Sequence, residues 1–207
     1  MKLVFALAVF LNGIALAQRD ANSKPFRLFI KSSNSTINGT ALGACHQGAA
    51  IEGACITSDR ITDPPRSYTT FYHSEWANEP ANDLPGILFY NLTLGGSQPN
   101  STRQVPSAMQ FESIATSDIA WPNFSPKNIT NTYVYFAKDC EEMYIPLNLD
   151  DTVSPPAYLE KTKKVQNWYV CLTRWSYLYT TLNWKFGVTG KPQNPSCQKV
   201  SVYRVFI

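Results

Sequence analysis

Apolar and polar positions alternate most regularly at the C-terminal end of the chain. Over 168–173, Trp168, Val170 and Leu172 fall on one face and Tyr169, Cys171 and Thr173 on the other. Over 177–186, Leu178, Leu182, Trp184 and Phe186 oppose Tyr177, Tyr179 and Thr181. A last run sets Val200, Val202, Arg204 and Phe206 against Ser201, Tyr203, Val205 and Ile207. A period of two in β-branched and aromatic residues predicts strands. The same pattern predicts strands from Phe26, over Ile87–Leu94, Met109–Ile114, Tyr133–Ala137 and Met143–Leu149, with a short one near Tyr68–Tyr72. Trp121-Pro122-Asn123-Phe124 reads as a wide turn and Ser97–Val105 as a loop. Tyr158–Val165 reads as one short helix. Nine or ten strands with almost no helix predict an all-β fold. The expected form is a two-sheet antiparallel sandwich, jelly-roll-like, with a closed β-barrel as the alternative.

The first 17 residues change the picture of where the chain works. Lys2, the apolar run Leu3–Leu11 and Ala15-Leu16-Ala17 have the form of a secretory signal peptide, too short to act as a membrane anchor. The expectation is a signal peptide at 1–17 and one extracellular β-domain at 18–207, with no membrane segment after cleavage. Six Asn-x-Ser/Thr sites, at Asn34, Asn38, Asn91, Asn100, Asn123 and Asn128, predict a glycoprotein. Each glycan needs a solvent-facing asparagine.

Five cysteines in an oxidising compartment allow two bridges and one leftover thiol. The expected pairs are Cys45–Cys55 and Cys171–Cys197, leaving Cys140 unpaired. On the chain-entropy model these loops stabilise by roughly 3 and 3.5 kcal/mol. The net charge of +3 is weak, and Lys161–Lys164 is the one basic run. That run reads as a solvated loop, so no nucleic-acid partner is expected.

Candidate chemistry is sparse. His46 and Glu52 lie inside the Cys45–Cys55 loop and would approach each other in a hairpin, as a poised base or as a structural pair. His73 has Glu75 two residues on. Glu141 and Glu142, with Asp139, are acids in a turn, better read as solvated surface than as the paired carboxylates of a glycan-cleaving site. Two histidines leave little for a metal, and no phosphate loop or nucleophile elbow is present, so no cofactor is expected. The reading therefore leans away from an enzyme. Five Trp and eleven Tyr are the remaining signal. Trp175, Tyr177 and Tyr179, with Tyr68 and Tyr72, form the candidate binding face for a glycan, a wall or host component, or another extracellular protein.

Two stretches carry a resemblance. One is Ser32–Gly39 leading into Cys45-His-Gln-Gly-Ala-Ala-Ile-Glu-Gly-Ala-Cys55. The other runs from Trp168-Tyr-Val-Cys171 through Tyr179-Thr-Thr-Leu-Asn-Trp184 and Asn194-Pro-Ser-Cys197 to Val200–Phe206. Together they resemble a family of small secreted proteins of filamentous ascomycete fungi, a domain of unknown function. The resemblance implies fungal origin and secretion, and brings no catalytic residues with it.

Overall fold

The computed structural model describes residues 21–75, 85–95, 101–126 and 132–207. Fifteen strands follow in chain order: β1 (Ala21–Asn22), β2 (Phe26–Lys31), β3 (Thr40–Gly48), β4 (Ile51–Arg60), β5 (Tyr72–Glu75), β6 (Gly86–Gly95), β7 (Thr102–Glu112) and β8 (Ile119–Ser125). Then come β9 (Tyr133–Phe136), β10 (Met143–Asp150), β11 (Ala157–Val165), β12 (Trp168–Arg174), β13 (Leu178–Lys185), β14 (Gln198–Lys199) and β15 (Ser201–Phe206). Among the described residues the one helical element is a 3-10 turn at Ser67–Thr69.

The fold is all-β and sandwich-like. Its layers are joined by continuous hydrogen bonding rather than forming two separate sheets. One antiparallel path runs β11-β10-β9-β6-β7-β8-β13-β4-β3-β2-β15. The path is not closed into a barrel. Near its two ends, the turn before β10 meets β15 through one isolated bridge, Glu142–Tyr203, and a bond from the Arg204 N–H to the Glu141 carbonyl at 3.0 Å.

The core is built from residues that the alternation places inward. Leu28, Ile30, Leu42, Met109, Phe124 and Leu182 are fully buried within it. Trp168 lies at its centre, edge-on to Trp184 with ring centroids 4.8 Å apart, and its indole donates to the Met143 carbonyl at 2.8 Å. That bond satisfies the polar end of an otherwise apolar group, which is the condition for burying Trp.

Several expectations fail for identifiable reasons. Residues 158–165 form strand β11, not a helix, because its ladder with β10 outweighs the helix propensity of Leu, Glu and Lys. Trp121–Phe124 lies inside β8, paired with β7 from Ala108–Ser125 to Glu112–Trp121, so Pro122 is accommodated in a strand. β7 starts at Thr102 and takes in residues expected to be loop. The segment near Tyr68 is the 3-10 turn, with β5 starting only at Tyr72. On β12 and β13 the alternation holds in the middle and fails at the ends. Leu182 and Trp184 are buried, whereas Leu172, Leu178 (50% exposed) and Phe186 face solvent.

β2 departs differently, because both of its faces are buried. Arg27 on the outer face donates to the Asp63 carbonyl at 2.6 Å, lies over the Phe29 ring and stands 3.9 Å from the Asp59 carboxylate. Arg66 approaches the same carboxylate at 3.6 Å. A buried cation needs such partners, and residues 59–66 supply them by folding over the strand.

Candidate functional site

The β3–β4 hairpin is the first half of the site. Gly48 pairs with Ile51, leaving Ala49-Ala50 as the turn, and Ala50 adopts a left-handed φ of 57°. Cys45 and Cys55 are bridged across it. His46 and Glu52 are directly paired, and the ring Nδ1 lies 3.6 Å from the Glu52 carboxylate. Their side chains differ in exposure, 56% against 13%. Burial pushes the Glu52 carboxyl above its ordinary range, and the nearby His46 pulls it back only in part. Burial and, behind it, the charge of Glu52 hold the Tyr90 phenol well up, and its hydroxyl is buried without a hydrogen-bond partner.

The β12–β13 hairpin is the second half. Arg174 pairs with Leu178, and Trp175-Ser176-Tyr177 forms the turn, closed by the Trp175 N–H donating to the Tyr177 carbonyl at 3.2 Å. Cys171–Cys197 ties β12 to the loop before β14. In that loop the Ser196 hydroxyl accepts from the Leu172 N–H, and the Asn194 amide donates to the Leu172 carbonyl. Thr173 and Thr181 share a hydroxyl hydrogen bond of 2.7 Å across the hairpin. The tip is therefore held at its base by a bridge and by side-chain bonds.

These two hairpins bring separate candidates together. The His46 ring lies 5.7 Å from the Tyr177 ring, which lies 6.0 Å from Tyr179. Trp175 packs edge-on against Trp121 of β8 at 5.1 Å. Trp175 (38% exposed) and Tyr177 (47%) remain open to solvent beside Leu172 and Leu178. The tip is thus a supported aromatic surface with a His–Glu pair at its margin. Trp121 was hidden from sequence reasoning by its reading as a turn; the Pro after it masked the strand.

Tyr68 and Tyr72 make their contacts on other elements, at β3 and β6. Tyr68 packs against β3 at Gly43, where a Cβ would fall 2.9 Å from its ring and 2.8 Å from the Thr57 methyl. Tyr72 stacks on Phe89 at 5.3 Å. Trp76 lies outside the described residues.

His73 and Glu75 form a second His–Glu pair, inside the fold. The His73 ring is 1% exposed; Nδ1 lies 3.2 Å from the Glu75 carboxylate and Nε2 3.1 Å from the Val134 carbonyl. Arg204 reaches both Glu75, at 3.7 Å, and Glu141, and its guanidinium lies 4.4 Å from the Phe136 ring centre. The hydrogen bond from His73, reinforced by the His73 and Arg204 charges, holds the Glu75 carboxyl below its ordinary range against the effect of burial. Glu75 and Glu141 thus converge on a cation between them, a clasp rather than an acid/base pair. Glu142 is not part of it. No group of three or more His, Cys, Asp or Glu fit to hold a metal occurs among the described residues.

The sequons divide by burial. Asn38 is exposed, and Asn34 and Asn91 are partly so. Asn123 fails the solvent requirement: it is 1% exposed within β8, so the folded chain has no room for a glycan there. Asn100 and Asn128 lie outside the described residues. Cys140 is unpaired and exposed, as the leftover thiol, and not buried. No described helix is long and apolar enough to cross a membrane.

No curated protein and no solved structure gives a match to the chain. A family profile described as a domain of unknown function (DUF7907) matches residues 23–206. That span takes in both disulfide-tied hairpins and the buried clasp, and the chain accordingly belongs to the DUF7907 family.

Proposed function

We propose that the protein is a secreted fungal glycoprotein that binds a wall or host glycan, without catalysis, through the tip of the β12–β13 hairpin. The observation that carries this reading is the exposed Trp175–Tyr177 surface, supported from below by Trp121 and flanked by His46. Exposed aromatic rings on a rigid base stack on sugar faces at little entropic cost. The signal peptide at 1–17 and glycans at Asn34, Asn38, Asn91, Asn100 and Asn128 belong to the same reading. Hydrolysis of a glycan calls for two carboxyls facing each other across a cleft. Glu52 instead faces His46, and Glu75 and Glu141 are held by Arg204.

The test is retention on insoluble wall polysaccharides, β-glucan and chitin, together with a neutral glycan array. The wild-type protein is retained. The Trp175→Ala/Tyr177→Ala variant loses about tenfold or more in affinity, taking about 1 kcal/mol for each ring, while the lost Trp175–Trp121 contact lowers its melting temperature by only about 4 °C and leaves it folded. Absence of retention in the wild type, or equal retention in the variant, overturns the reading.

A further inference from the structure

A groove of about 1440 Å³ lies where the two ends of the sheet path approach each other, and none of the tip's aromatic residues lines it. Residues of β2, β10, β11, β14 and β15 line it. Lys163 and Lys164 come from β11, Lys31 from β2 and Lys199 from β14. Two carboxylates, Glu142 and Asp150, also line it, so cations outnumber anions by two to one. Asp150 accepts from the Thr152 N–H at 3.0 Å and the Thr152 hydroxyl at 2.6 Å, and its charge also meets that of Lys163.

The basic run on β11 looks like a solvated stretch in the sequence. The fold brings it into one groove with two lysines more than 30 residues away in either direction along the chain. Lys199 is the most committed of them. Its ammonium donates to the Gln166 carbonyl and lies 4.9 Å from the Tyr169 ring centre. Burial lowers the Lys199 pKa, and the charge of Glu142 opposes that shift.

We propose that this groove binds an acidic polysaccharide, a chain bearing repeated carboxylate or sulfate groups, along its lysines. Cations from three separate strands in one groove suit an extended polyanion lying along it. Ser32, Ser33, Thr152, Asn167 and Ser201 lie among them, and most lining side chains are polar or charged. Such a lining offers partners to a hydroxyl-rich chain more readily than it offers apolar anchor pockets to a peptide. The positive net charge of the chain assists the encounter.

The experiment measures binding of polygalacturonate by the whole protein at low and at physiological salt. Dextran is the neutral control and poly-L-glutamate the peptide control. The groove variant is Lys31→Gln/Lys163→Gln/Lys199→Gln. The charge-matched variant is Lys24→Gln/Arg103→Gln/Lys191→Gln, which removes three exposed cations outside the groove lining. Polygalacturonate binds at low salt and weakens as salt rises, whereas dextran does not bind. The groove variant loses about tenfold in affinity and the charge-matched variant less than about twofold, with both melting temperatures close to wild type. Failure of polygalacturonate to bind, or equal losses in the two variants, overturns the proposal. Equally tight binding of poly-L-glutamate overturns it in favour of an acidic peptide. The Trp175→Ala/Tyr177→Ala variant keeps full polygalacturonate affinity. A loss there would place the site at the hairpin tip and overturn the groove assignment, while the two binding modes otherwise stand or fall separately.

Discussion

The protein contains two His–Glu pairs built from the same groups, and they behave in opposite ways. His46–Glu52 sits across a hairpin with the imidazole in solvent, and its carboxyl is pushed up by burial. His73–Glu75 sits on one strand with the imidazole buried, and its carboxyl is held down. What separates them is the number and placement of partners. Glu75 receives a hydrogen bond from His73 and the charge of Arg204, which outweigh its own burial. Glu52 has His46 alone, at a longer distance, and burial wins. Pairing alone does not set the sign of a pKa shift; the balance of desolvation and partners does.

The largest effects come from breaking the inner pair's surroundings. Arg204→Met removes the cation shared by Glu75 and Glu141 and leaves both carboxylates without it. A loss of about 3 kcal/mol in urea unfolding is expected, at the low end for a broken buried pair because Glu141 is partly exposed. Gly86→Ala attacks the same place by volume. A Cβ there would lie 2.4 Å from the His73 Nε2 and 2.7 Å from the Ser74 carbonyl oxygen. It should cost about 2 kcal/mol by overpacking. A melting temperature unchanged in either variant would mean that the clasp contributes nothing to stability.

The pH dependence separates the two pairs by sign. The Glu75 carboxyl is lowered from 4.5. Its contribution is present above 4.5 and is lost as the pH falls through the lower folded value. Glu75→Gln should therefore flatten the acid limb of the stability curve. The Glu52 carboxyl is raised from 4.5. Between 4.5 and its folded value the native state holds the proton more tightly, so this group's contribution falls as the pH rises through that window. Glu52→Gln should remove that decline. Denaturant midpoints at a series of pH values read both slopes, and slopes of equal sign would contradict the comparison.

How much of this was legible follows from sequence distance. The Cys45–Cys55 hairpin could be read because His46 and Glu52 are six residues apart and small residues fill the turn. The pairing of Cys171 with Cys197 was legible from strand spacing. The proximity of His46 to Tyr177, and of Trp121 to Trp175, was not, because both depend on how distant strands are brought together. β8 was obscured by Pro122, whose missing N–H usually argues against a central strand. β11 was obscured by its Lys- and Glu-rich composition, where pairing with β10 decided the outcome. Leu178 and Phe186 obey the alternation yet are exposed, since they lie at and just beyond the ends of β13, where the core has run out. Asn123 matches the acceptor pattern, but no local pattern reports its burial.

The smallest expected effect is at the outer pair. His46→Ala removes a partner at an exposed site, so stability should change by less than about 0.5 kcal/mol. The Glu52 carboxyl should nevertheless move further up, because His46 is what pulls it down. Carboxyl NMR titration reads that shift, and a downward shift would contradict the assignment.

Indole NMR reads the proposed recognition by the aromatic tip without a substitution. Wall-derived oligosaccharides are titrated into the protein while the tryptophan side-chain resonances are followed. Trp175 and its support Trp121 are expected to shift on binding, while the core residues Trp168 and Trp184 stay fixed. Shifts confined to other residues, with Trp175 unmoved at saturation, would contradict it.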